Sequence, residues 1–270
     1  MRLQTYHRSA LPKLVSLLNE AEAKSYEFIP YSEQSLQAEL KEAKSVLMAC
    51  DERNRISGLA YLHEEWYGET VTLHLRSGTG QWEVGDVLLS SLEPLSKTGS
   101  LSTSVDPFDR ERLSFFRRKG YRPESSLYQL TADLGRRRRR PHLPEGCVLR
   151  NLRTDEEERL IELANTAYDG VRLRPGILAR WHAQDPNFGT DWVQVVECEE
   201  QLVATVVARS DGEYNNYFQA NRGYLGPAAT LPSYRGKGLS QALTAEAMNC
   251  LRERGMQTVC LHTWGAISRP

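Results

Sequence analysis

The chain has 270 residues, 40% of them hydrophobic and 26% charged, with a formal net charge of −1. That composition describes a soluble globular protein with one large domain or two of ordinary size, and the near-neutral balance argues against bulk attraction to nucleic acid or an anionic membrane. No run reaches the roughly 20 apolar residues that span a bilayer, and the N-terminus lacks a signal peptide's apolar stretch, so a cytoplasmic location is expected.

In chain order, LQTY reads as a strand, and Ser9 is placed to cap a helix with apolar residues at Leu11, Leu14, Val15 and Leu18. A second helix is expected near Ser35 to Lys44. SVLMACDERNRISGLAYLHEE then reads as two strands joined by a polar turn. TVTLHLR (strand), VGDVLLSSLEPL (helix), SLSTSV (strand), DRERLSFFRRKG (helix) and SLYQLTADL (strand) complete a first domain, residues 1–134. GRRRRRPHLPEG, residues 135–146, has no periodicity and reads as an exposed linker; its basic run Arg136 to Arg140 is also a candidate contact for nucleic acid.

The second half, residues 147–270, repeats the order. CVLRNL is a strand, and Thr154 with Glu157 suggests a capping box for EEERLIELANTAY. A helix near RPGILARWHA, two strands in WVQVVECEEQLVATVVARS and a polar loop SDGEYNNYFQAN follow. RGYLGPAATL is a strand, GLSQALTAEAMNCLRERG a helix and TVCLHTW a strand. Strands alternating with helices in two similar halves imply a tandem duplication of an α/β (α+β) unit. The five cysteines, Cys50, Cys147, Cys198, Cys250 and Cys260, are odd in number and lack CxxC spacing, so neither a disulfide framework nor a zinc site is expected. The six histidines form no HExxH or HxH pattern, and no metal site is read.

The stretch LPSYRGKGLSQAL, from Leu231 to Leu243, joins a strand to a helix. Gly236 and Gly238 allow positive φ angles and close approach of a ligand. The helix beyond them offers unpaired N–H groups and the positive end of its dipole, a seat for a pyrophosphate. Arg235 and Lys237 add charge. It is not a P-loop, and the third glycine of a dinucleotide fingerprint is missing at Gln241. On these residues alone, a plain glycine-rich turn stands level with a phosphate seat.

Thr230-Leu231-Pro232-Ser233-Tyr234-Arg235-Gly236-Lys237-Gly238-Leu239-Ser240 resembles the acyl-CoA signature of the GNAT superfamily of N-acetyltransferases, V-x-P-x-Y-R-G-x-G-x-G/A before a leucine-rich helix. Ser240 departs mildly from the usual Gly or Ala. The resemblance implies two tandem GNAT-fold domains, each a mixed, mostly antiparallel sheet flanked by helices. It implies acetyl-CoA as acyl donor, with the backbone of Arg235, Gly236, Lys237, Gly238, Leu239 and Ser240 on its pyrophosphate. Ala229, Thr230 and Leu231 would pair with the pantetheine arm. Gly226-Pro227 would form the bulge that opens the family's fourth strand.

Laid on the first half, the same template aligns Trp82 with Arg235, sets Glu83 and Val84 against Gly236 and Lys237, and keeps only Gly85. Glu83 and Asp86 would repel a pyrophosphate. Phe115-Phe116-Arg117-Arg118-Lys119-Gly120-Tyr121 resembles the family's LYxKxGF element, with Phe116 where the family often has an acidic tyrosine. The first domain is therefore expected to be degenerate and non-catalytic, an architecture similar to that of mycothiol synthase. The second domain is expected to lack the closing helix and strands, so that either the chain is shortened or another element completes the sheet; an unfinished sheet would leave an open edge and a route to a homodimer. The implied reaction is direct transfer of acetyl from acetyl-CoA to a primary amine of a small molecule or peptide. The amine must first lose a proton; Tyr224, Glu213 and His262 are the candidates to handle it. Cys260 is set aside as a nucleophile because no Cys–His–acid arrangement is readable, and its side chain is expected on the face opposite His262. A non-catalytic CoA sensor is the alternative.

Overall fold

The computed structural model describes residues 1–65, 67–78 and 80–266, which form two compact units, Met1–Arg122 and the residues from Pro123 on. Among the described residues no helix is long and apolar enough to cross a membrane.

In the first unit β1 (Arg2–Thr5), α1 (Leu11–Ala21), α2 (Glu33–Glu42), β2 (Ser45–Cys50), β3 (Ile56–Glu65), β4 (Gly68–Leu75), α3 (Gln81–Leu92), β5 (Leu101–Ser102) and α4 (Arg110–Arg118) follow in order. The sheet runs β1-β2-β3-β4-β5, antiparallel except for the parallel β4–β5 pair. Helix α1 buries Leu11, Leu14, Leu17 and Leu18 at helical spacing. Ser9 does not cap it; its hydroxyl lies 2.8 Å from His7 Nδ1, and Pro12 in the first turn removes a donor that needs no cap. Ser32 and Ser35 form a reciprocal capping box on α2.

The second unit contains β6 (Ser125–Asp133), β7 (Cys147–Asn151), α5 (Glu157–Tyr168), α6 (Ile177–Gln184), β8 (Val193–Cys198), β9 (Gln201–Ser210), α7 (Gly212–Phe218), β10 (Arg222–Thr230), α8 (Leu239–Glu253) and β11 (Thr258–Ala266). Its sheet order is β6-β11-β10-β9-β8-β7. Strand β9 is buried along most of its length because α8 and α5 both pack on it, which is why its sequence is nearly continuous in apolar residues.

Four expectations change here. SLYQLTADL, read as the close of the first half, is β6: it runs antiparallel to β11 from Ser125↔Ala266 to Asp133↔Thr258. Leu134 just after it is 2% exposed within the second unit's core. The edge of β11 is therefore covered by a strand from upstream. Thr154 forms no capping box: α5 starts after Glu156, whose carboxylate is taken by Arg150 and by the Arg153 N–H. The supposed loop SDGEYNNYFQAN contains α7. Cys147 and Cys198, first in β7 and last in β8, stand directly opposite each other and form a disulfide. Sequence spacing could not reveal that pair, because strand register set it.

Candidate active site

The site begins where the sheet of the second unit opens. Strand β10 pairs in parallel with β11 only from Arg222↔Thr258 to Tyr224↔Cys260. Between Leu225 and Ala228 its register on β9 shifts, around a cis Gly226–Pro227 peptide. Beyond this point β11 keeps its pairing with β6 while β10 stays on β9. Among the described residues, one edge of β10 is left without a strand neighbour from there on. Leu231 N–H donates to Val203 O at 2.9 Å, so Leu231 and, by alternation, Ala229 aim their main-chain groups at β9. Thr230 and Ala228 face the open edge. Tyr168 Oη donates to Ala228 O at 2.9 Å, and Arg235 Nε donates to Thr230 O at 3.2 Å.

The strand leads through Pro232–Tyr234 into α8. Gly236 (φ 75°) and Gly238 (φ 78°), the helix cap, both lie in the left-handed region, and a Cβ on either would meet nothing within 4 Å. Open space therefore adjoins the backbone. The N–H groups of Gly236 to Gln241 have no hydrogen-bond acceptor among the described residues. Thr230, Tyr234, Gly236, Gly238, Ser240 and Gln241 help line a cavity of about 350 Å³ here. This is a cluster of main-chain donors at a helix start, suited to an anion. The Arg235 guanidinium is also bound to Ala167 O at 2.9 Å and thus braces the junction. Lys237 Nζ lies 4.6 Å from the centre of the Tyr234 ring.

On one face of the opening, alternation and cross-strand pairing gather polar groups. Tyr224 Oη stands 3.4 Å from His262 Nδ1, and His262 Nε2 lies 3.1 Å from Gln129 Oε1 on β6. Burial pushes the Tyr224 phenol above its ordinary pKa, against the opposing pull of the Arg209 cation. Arg209, opposite Tyr224 on β9, has its guanidinium carbon 5.4 Å from the Tyr224 ring centre. Cys260 is on the same face as His262, two residues away, which corrects the expected orientation; it is buried with its Sγ 3.6 Å from Asp211 Oδ2. Glu213 lies exposed on α7, with no hydrogen bond or ion pair to the Tyr224–His262 group among the described residues. Sequence reading missed Gln129, because its strand was given to the other half, and Arg209. A charged residue inside the apolar run VVARS was the available signal for the latter.

The corresponding turn of the first unit is not where alignment on Gly85 placed it. Helix α3 starts at Gln81 behind a left-handed Gly80 (φ 83°), so Gly80 is the counterpart of Gly238. Gly85 is buried inside the helix, where a Cβ would come within 3.2 Å of Phe115. Glu83 occupies the first turn of α3 and brings its own carboxylate to the helix start. Phe116 is 4% exposed and packs edge-on to Tyr121.

The basic run is largely engaged within its own unit. Arg138 N–H donates to Asn249 Oδ1 at 2.7 Å on α8, and Arg140 lies 3.3 Å from Glu246. Arg137 is 4.0 Å from Glu253. This geometry fastens the segment along α8.

A splayed strand pair here leads into a glycine-hinged helix start, which sets an open strand edge beside a cluster of main-chain donors. Residues 148–267 match the family described as the acetyltransferase (GNAT) domain, which supports an acyltransferase. No curated protein matches the chain by sequence. Among solved structures, a GCN5-related N-acetyltransferase from Sphaerobacter thermophilus superposes with TM-score 0.68 at 15% identity, over 100% of this chain and 89% of that one. A tandem GNAT protein from the clavulanic acid biosynthesis pathway gives 0.64 at 14%, over 100% and 91%. A probable N-acyltransferase from Enterococcus faecalis V583 gives 0.58 at 13%, over 100% and 67%. The chain as a whole has the fold of tandem GNAT proteins.

Proposed function

We propose that the protein transfers an acetyl group from acetyl-CoA to a primary amine, using the second unit alone. The observation that carries this reading is the open edge of β10 leading directly to the unpaired N–H groups of Gly236 to Gln241. An extended pantetheine arm has the shape of a further strand along Thr230 and Ala228, and the diphosphate has the charge that the helix start attracts. The amine nitrogen attacks the thioester carbonyl carbon; the C–N bond forms, the C–S bond breaks, and the amine proton must leave while the departing thiolate gains one. On this reading Tyr224, kept protonated by its burial, gives that proton and regains one through His262, which Gln129 orients, while the amine proton passes to water. Glu213 has no part in this reading. The first unit is non-catalytic, because Glu83 fills its helix start and Phe116 has no proton to give.

Calorimetry with CoA, paired with thiol release from acetyl-CoA over an amine panel, tests the proposal. Lys237→Glu is expected to weaken CoA binding roughly tenfold, the scale of one charge-assisted contact; Glu83→Gln in the first unit is expected to change nothing. Absence of CoA binding to folded protein overturns the proposal. Binding without turnover of any amine identifies a sensor. The reaction belongs in the cytoplasm on this reading. In that reducing compartment the Cys147–Cys198 disulfide of the structure is expected to be open in the cell, and alkylation before and after reduction would count the thiols by mass.

A further inference from the structure

Arg209 has no task in the acyl transfer described above, yet it stands beside Tyr224. It is opposite Tyr224 on β9, so both side chains leave the same face of the sheet. Its guanidinium carbon lies 5.4 Å from the Tyr224 ring centre and 5.7 Å from that of Trp181. Its Nε is buried and has no hydrogen-bond partner among the described residues. Asp211, two residues further along, is committed to Arg222, whose Nε it accepts at 2.8 Å. Removing a cation from water without an anion is costly. Two aromatic faces offset part of that cost, and burial still lowers the pKa of Arg209 from its usual value, helped by the nearby Arg172 cation. Arg172 comes from the segment between α5 and α6. Its guanidinium carbon is 5.4 Å from the centre of the Tyr168 ring, and the Tyr168 hydroxyl is the one bonded to Ala228 O at the open edge. Positive charge therefore flanks the opened strand from β9 and from the α5–α6 connection.

We propose that Arg209 receives a carboxylate of the acceptor, so that the acceptor class is an amine that also carries a carboxylate, an amino acid or an amino-acid derivative. The planar guanidinium fork matches a carboxylate with two parallel N–H···O bonds. Held there, the acceptor places its amine over Tyr224 and the edge of β10. Polyamines and aminosugars, which add positive charge next to Arg209 and Arg172, are repelled. The inference rests on the reading of the second unit as an acetyl-CoA-dependent N-acetyltransferase.

The test uses the full chain and acetyl-CoA with matched acceptors: amino acids, their carboxamides and their decarboxylated amines. Carboxylates are expected to be preferred by roughly 10- to 100-fold in kcat/KM, the range for one hydrogen-bonded charge pair. Arg209→Met should remove that preference mainly through KM, and Arg209→Lys should keep part of it, with CoA affinity and circular dichroism unchanged in both. A second readout does not depend on turnover: with CoA bound, the preferred carboxylate should raise the melting temperature of the wild type and not of Arg209→Met. Equal use of the matched acceptors, or a carboxylate effect that survives Arg209→Met, overturns the inference; so does a panel with neither turnover nor a carboxylate-dependent shift. Failure of CoA itself to bind is read separately by calorimetry and rejects the underlying reaction instead.

Discussion

At the residue scale, Tyr224 and Arg235 show how one position can invite a reading from its type and acquire its role from its neighbours. Tyrosine is a poor base, and at Tyr224 burial raises its pKa further. That environment suits a donor. Tyr224→Phe keeps the ring that packs on His262 and Arg209 but removes the proton. It is expected to lower kcat by roughly 100-fold, the lower end for a positioned acid, while leaving CoA affinity unchanged. A Phe variant of full activity would reduce Tyr224 to packing. Arg235 was legible as a charge beside a phosphate seat. In the structure its guanidinium spends its hydrogen bonds on Thr230 O and Ala167 O. Arg235→Ala is therefore expected to loosen the strand–helix junction and lower the melting temperature, whereas Lys237→Ala should leave it unaltered; thermal denaturation of the two variants side by side separates brace from charge.

At the element scale, helices were the most legible parts of the chain, because a stripe such as Leu11, Leu14, Leu17 and Leu18 announces itself by spacing alone. The starts of elements were less so. Thr154 and Glu157 have the spacing of a capping box, but a carboxylate network at Glu156 won the position. Glu156 accepts from Arg150 at 2.7 and 2.8 Å, from the Arg153 N–H at 2.9 Å and from Arg159, which together hold its pKa down at about 2 despite burial. A lowered carboxylate pKa contributes stability that is present above the unfolded value near 4.5 and is lost as pH falls toward 2. Glu156→Gln should therefore destabilise the second unit at neutral pH by about 2 kcal/mol, below the range for fully buried pairs because Arg159 keeps contact with water. The difference from wild type should shrink as denaturation is measured at pH 4, 3 and 2. Similar stability of both proteins at pH 7 would show that the arginines find other partners. In the first unit the turn before α3 was misread for a related reason: the end of β4 at Leu75 is set by pairing with β3, and without that limit Gly85 was as good a hinge as Gly80.

At the scale of the molecule, the repeated order of elements made two units of one fold legible, whereas the choice of strand partners was not. Nothing local in SLYQLTADL states which sheet it joins; its alternation is satisfied by either. The structure gives it to β11, and with it Leu134 and Ala132 to the core of the second unit. Covering that edge matters because the same pairing carries Gln129 to His262. Cutting the chain within the linker should thus remove both a strand and the His262 partner Gln129 from the second unit. A fragment starting at Pro123 is expected to fold cooperatively. One starting at Cys147 leaves β11 with unpaired main-chain groups from Thr258 to Ala266 and uncovers apolar surface under Leu134, at roughly 25 cal/mol for each Å² exposed. It should associate or precipitate. Size-exclusion chromatography and thermal denaturation of the two fragments distinguish these outcomes. A monomeric, cooperatively folded fragment from Cys147 onward would mean that β6 only decorates the sheet, and that the pairing with β11 is not what holds the open site in place.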